Sequence, residues 1–168
     1  MSKLKTALLS TVVLGATCLS HPVFADQQGN AIVSKTNFDS ASKTFEVTAQ
    51  QSDNGKAIKG INVAIWSEEN GQNDLKWYIN SNVSGGQVKV QFNLANHGNR
   101  AGNYITHVYT NYTDGSCSGV ALENTKINPK APQLSVKNGA IQMTTDIYAP
   151  SNGQIKYAVW SEENDQDD

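Results

Sequence analysis

The sequence offers little that would tie the protein to a charged partner or a redox role. Only 17% of its 168 residues are charged, with 13 Lys and Arg against 15 Asp and Glu. Lys3 and Lys5 are the only charges in residues 1–25, which leaves 11 bases and 15 acids in the rest. Five of those acids (Glu162, Glu163, Asp165, Asp167 and Asp168) crowd the last eleven residues, so the body between is nearly neutral. A nucleic-acid binder needs a basic footprint to displace phosphate counterions. This body has none, and no nucleic-acid partner is expected. Cysteine occurs twice, as Cys18 and Cys117. Histidine occurs three times, and only His97 and His107 lie beyond the N-terminal segment.

Long apolar runs are also missing, with one exception at the N terminus. Lys3 and Lys5 precede the apolar stretch Ala7–Leu19, Pro22 breaks it, and Val23-Phe24-Ala25 offers small residues at −3 and −1. This reads as a secretory signal peptide over residues 1–25. The stretch is shorter than the ~20 residues a bilayer span requires, so no stable membrane anchor is expected. A lipoprotein signal using Cys18 is the alternative, and Gly15-Ala16-Thr17 matches it poorly. Cleavage after Ala25 would leave Cys117 alone, with no internal disulfide. The product is expected outside the cell, either free or associated with the cell wall.

What the sequence does contain is an internal repeat. Ala64-Ile65-Trp66-Ser67-Glu68-Glu69-Asn70-Gly71-Gln72-Asn73-Asp74 returns as Ala158-Val159-Trp160-Ser161-Glu162-Glu163-Asn164-Asp165-Gln166-Asp167-Asp168. So long an offset implies tandem domains rather than a solenoid. Pro129 and Pro132 mark a linker between the copies. The expected division is a signal peptide over 1–25, an N-terminal extension over 26–36, a first repeat over 37–122, a linker over 123–133 and a truncated second repeat over 134–168. Residues 26–130 are expected to fold independently, and 131–168 to be mobile or to hold a low-stability hairpin, because two strands alone bury too little.

Short period-2 runs fill the first copy: Phe45 and Val47; Ile61, Val63 and Ile65; Leu75, Trp77 and Ile79; Val88, Val90, Phe92 and Leu94; Tyr104, Thr106 and Val108. Each run presents one face to a core. Turn residues separate them at Asp53-Asn54-Gly55, Ser84-Gly85-Gly86, Asn99–Gly102 and Asp114-Gly115. The fold class is all-β, an immunoglobulin-like antiparallel β-sandwich followed by an incomplete second copy.

No catalytic constellation emerges. Cys117 with a histidine would still need an orienting group and an oxyanion site. His97 and His107 lack the further ligands of a zinc site. The acidic loop 67–74 is oxygen-rich around Gly71 but lacks EF-hand spacing. It reads either as a weak calcium loop or as a fixed-shape loop whose Asn and Asp side chains bond their own backbone. No catalytic residue, metal or cofactor is expected. With Trp77 and Val108 taken as inward-facing, Trp66, Tyr78, His107 and Tyr109 share the opposite register. They are the candidate ligand-binding residues, since exposed rings hold sugars or a protein partner. The other reading packs these rings against each other or under the loops.

The segment Val63–Tyr78, with its Ala64-Ile65-Trp66-Ser67-Glu68-Glu69-Asn70 core, resembles the GBS Bsp-like repeat of secreted and surface proteins of streptococci. His97 and the run Gly102-Asn103-Tyr104-Ile105-Thr106-His107-Val108-Tyr109 are similar to that family's second half. The resemblance covers roughly residues 37–122, with a partial match over 134–168. It implies a non-catalytic extracellular module linked to cell-surface architecture and morphology, often in tandem and often joined to cell-wall hydrolase domains. The expected partner is a cell-wall glycan or a surface protein. The alternative is the N-terminal, non-catalytic fragment of a peptidoglycan hydrolase whose amidase or peptidase domain is missing here.

Overall fold

The computed structural model describes residues 30–150 together with Lys156 and Ala158. The signal peptide and the second copy of the Trp-Ser-Glu-Glu-Asn motif lie outside the described residues. Among the described residues nine strands follow one another: β1 (Ile32–Lys35), β2 (Thr44–Gln50), β3 (Ile58–Ser67), β4 (Lys76–Asn80), β5 (Gln87–Asn93), β6 (Gly102–Tyr112), β7 (Cys117–Ile127), β8 (Gln133–Lys137) and β9 (Ala140–Thr144). Short 3-10 turns at Glu68–Asn70 and Leu94–His97 interrupt them. All strand pairings are antiparallel. One sheet has the order β1-β2-β5 and the other β4-β3-β6-β7. The chain therefore crosses between sheets after β2, β4 and β5, and the two layers form the expected immunoglobulin-like sandwich.

The alternation read from the sequence fills the space between the layers. Phe45, Val47 and Ala49 of β2 and Val88, Val90 and Phe92 of β5 face Ile61, Val63 and Ile65 of β3 and Tyr104, Val108 and Tyr112 of β6. Phe45 lies opposite Phe92 in the ladder, and their rings stack with centroids 4.4 Å apart. Where β3 begins, a bulge between Ile58 and Gly60 brings the backbone against β4. A Cβ on Gly60 would lie 2.8 Å from the Asn80 carbonyl oxygen, so only glycine fits there.

Several expectations about this region need correction. Residues 26–36, expected to be an extension, include β1, an edge strand paired to β2 from Ile32↔Gln50 to Lys35↔Val47. The linker assigned to 123–133 begins inside β7, where Thr125 and Ile127 are buried. Neither strand has the clean apolar alternation that exposed the others, because edge strands are half solvated and carry polar residues. Cys117 is disulfide-bonded in the unprocessed chain, which leaves the expectation for the processed chain untouched. The other cysteine, Cys18, lies outside the described residues.

Beyond the sandwich, β8 and β9 form a separate two-stranded sheet. Leu134 pairs with Met143 and Val136 with Ile141, so one face is apolar, and Leu134, Val136 and Ile141 are exposed. The stretch after this hairpin returns to the first unit. Ile147 is fully buried in the same core as Phe45 and Phe92. The Ala101 N–H donates to the Tyr148 carbonyl (2.8 Å), and the Tyr148 N–H donates to the Asn99 carbonyl (2.7 Å). Asp146 pairs with Lys43 (3.5 Å) and Lys130 (3.2 Å). The sandwich's core thus draws on a residue from beyond the expected linker, and residues 26–130 do not contain all of it. Truncating a buried isoleucine to alanine costs about 2–5 kcal/mol. Ile147→Ala should therefore lower the urea midpoint of the main unfolding transition substantially with an unchanged m-value, measured by tryptophan fluorescence.

Candidate functional site

The outer surface of the four-stranded sheet follows from its registers. Ala64 lies opposite both Trp77 and His107, and Asn62 lies opposite both Ile79 and Tyr109. On β7, Gly119 sits beside Tyr109 and Ala121 beside His107. Trp66 pairs with Ile105 in the next row. Since Val63, Ile65 and Val108 point into the core, these neighbours all point away from it. Trp77 is 50% exposed and Ile79 69% exposed.

Small residues between the large ones let the rings meet. The Trp77 and Tyr109 rings approach to 5.8 Å between centroids, inclined by 42°, across the small Ala64 and Asn62 positions. Tyr109 also leans over Gly119, where an added Cβ would lie 3.4 Å from its ring. Trp66 meets His107 edge to face at 4.9 Å. His107 is half-buried, and desolvation lowers its pKa.

Three of the four residues singled out from the sequence thus share this face: Trp66, His107 and Tyr109. Trp66 is itself buried, so it supports the surface rather than offering its ring to a ligand. Tyr78 is the exception and must be corrected. It pairs with Val63 on the inner side of the sheet, and its ring packs against Phe92 (6.2 Å). Trp77 and Ile79, expected inside, are outside. On β4 both alternations carry bulky rings, so period 2 alone could not say which set faces the core. A one-residue change of register exchanges the two faces, and only the pairing with β3 decides between them.

Tyr78 instead belongs to a partly buried polar cluster at the sandwich rim, in which His97 is the buried member. The Asn96 side-chain amide donates to the Tyr78 hydroxyl (3.2 Å), which lies 3.2 Å from His97 Nε2. His97 Nδ1 faces Asp74 Oδ2 at 3.4 Å, and Asp74 Oδ1 accepts the Ser67 N–H at 2.9 Å. This pattern suits a neutral imidazole protonated on Nδ1, a tautomer assigned from its partners. The ring packs beside both Phe92 (5.1 Å) and Tyr78 (6.4 Å), with Tyr104 edge-on. Desolvation lowers the His97 pKa; Asp74 works against this and Lys76 adds to it. Asp74 closes the loop 67–74 onto its own backbone, as the fixed-shape reading anticipates. Among the described residues no three His, Cys, Asp or Glu side chains are grouped to hold a metal.

The result is a seven-stranded, two-sheet module with an aromatic outer face, uncharged in its central rows, and a polar cluster at its rim. The chain belongs to the GBS Bsp-like repeat family, whose model matches residues 34–125. Among solved structures it is similar to a polysaccharide deacetylase from Bacillus cereus, with 13% identity and a TM-score of 0.45. That similarity covers 62% of this chain and 31% of the deacetylase chain. No curated protein matches it. Among the described residues no helix is long and apolar enough to cross a membrane.

The desolvated His97 and His107 have a consequence for stability. Their folded-state pKa values lie below the ordinary 6.5, so the unfolded chain takes up protons first on acidification. Their contribution is complete above about pH 6.5 and is lost as the pH falls below it. The melting temperature should drop between pH 7.5 and 5. His97→Gln should flatten that slope while lowering stability at pH 7.5, and thermal melts across this range check both.

Proposed function

We propose that this protein is a secreted, non-catalytic module that acts at the bacterial cell surface or cell wall and contacts its partner through the outer face of the four-stranded sheet. The observation that carries the reading is the exposure of Trp77 and Ile79 beside Tyr109 on a sheet whose other side already forms the core. Leaving large apolar side chains in water is unfavourable, and a contiguous patch of them marks a contact surface. Family membership and the N-terminal secretory pattern support the location. The chemistry of the rim cluster supports a non-catalytic role. Asp74, His97 and Tyr78 are lined up like an acid, base and hydroxyl, but His97 is buried, and burial raises the Tyr78 pKa away from an active nucleophile.

The purified chain should co-sediment with bacterial wall preparations and leave the turbidity of a wall suspension unchanged. Trp77→Ala and Tyr109→Ala should each weaken co-sedimentation by ~5–10-fold or more, the scale of an interface anchor. Clearing of the suspension would overturn the non-catalytic reading, and unchanged binding in both variants would remove the outer face from it.

A further inference from the structure

We infer that the outer face of the four-stranded sheet takes an uncharged glycan, bound by stacking of pyranose rings on Trp77 and Tyr109. The inference rests on the reading of this face as the contact surface and adds the chemical class of what it holds.

Charge is the first argument. The two central rows, Trp77–Ala64–His107–Ala121 and Ile79–Asn62–Tyr109–Gly119, contain no Lys, Arg, Asp or Glu, and neither does the Trp66–Ile105 pair. The nearest charges flank these rows: Lys59, exposed in the β3 bulge one row past Asn62 and Tyr109, and, past Ile105, Glu68, which accepts from the Asn103 side chain, and Lys126, which pairs with Asn103. A charged polymer laid on these rows would lose hydration with no opposite charge to replace it. Burial keeps His107 from adding a positive charge at neutral pH.

Size and shape are the second. With strands ~4.8 Å apart and same-face residues ~6.8 Å apart, these rows span roughly 300 Å². That is well under half of the ~800 Å² each partner buries in a standard protein interface. It is enough for a few sugar rings. The axial C–H groups of a pyranose form a flat apolar face that packs on an aromatic face, while its hydroxyls stay in reach of polar side chains. Trp77 and Tyr109 supply two such planes inclined by 42°, which suits successive rings of an oligosaccharide rather than one sugar. Asn62, half-buried between Ile79 and Tyr109, places an amide donor and acceptor at the edge of these planes.

The test uses the full chain, with tryptophan fluorescence and wall co-sedimentation read in parallel. The probes are chitotetraose and cellotetraose, with polygalacturonate as a charged counterpart. At least one neutral tetrasaccharide should change the fluorescence, compete with walls and bind better than its monosaccharide; polygalacturonate should do neither. Trp77→Ala should weaken tetrasaccharide binding at least ~10-fold. Ile79→Lys, which places a charge on a largely exposed position, should weaken it comparably with unchanged circular dichroism. If Trp77→Ala abolishes wall binding but no neutral tetrasaccharide competes, the glycan inference falls and the contact surface stands. Wall binding indifferent to both variants would bring down the contact surface, and the glycan inference with it. Polygalacturonate binding as tightly as the neutral probes would overturn the inference on charge grounds.

Discussion

The antiparallel pairing that sets Val63 opposite Tyr78 and Ala64 opposite Trp77 governs both surfaces of the four-stranded sheet. Its inner consequence is that Tyr78 packs on Phe92 and reaches His97. Its outer consequence is that Trp77 and Ile79 stand in solvent beside Tyr109. Neither outcome can be changed alone, because a strand's side chains alternate strictly between faces. The bulge at the start of β3 and the close backbone approach at Gly60 hold this register at the far end of β4.

The polar rim is the counterpart of this arrangement. A buried imidazole is costly unless both nitrogens have partners. His97 has Asp74 on one side and the Tyr78 hydroxyl on the other, supplied by the loop after β3 and by β4. The same Asp74 holds the loop through the Ser67 N–H, so the loop's shape and the histidine's protonation state are coupled. The acidic residues that suggested ion binding are in part the means by which the loop closes on itself.

The return of residues 146–148 to the first unit ties the hairpin β8–β9 to the sandwich. By the 94-residue offset of the repeat, Ile141 and Met143 correspond to Val47 and Ala49, which are fully buried in the first unit. Ile141 instead lies open on the hairpin's apolar face. Ile147, four residues past Met143, takes a place in the first core, and Asp146 bridges Lys43 and Lys130 at its edge. An apolar side chain is buried wherever a complementary space exists, irrespective of the repeat to which sequence assigns it.

Local patterns along the chain were enough for the all-β class, the family and most of the inward-facing residues. Phe45, Val47, Val88, Val90 and Phe92 each sit in runs where only one alternation is apolar, so local pattern and tertiary burial agree. The sequence also pointed to the aromatic face through Trp66, His107 and Tyr109. What it left open lies where both alternations are bulky, as at Trp77, Tyr78 and Ile79, or where an edge strand is too polar to stand out, as in β1 and much of β7. It also left open the docking of Ile147, which no local period encodes. Those points were decided by the tertiary structure, because which face of an edge strand is buried depends on the strand it pairs with and on the space the opposing sheet leaves.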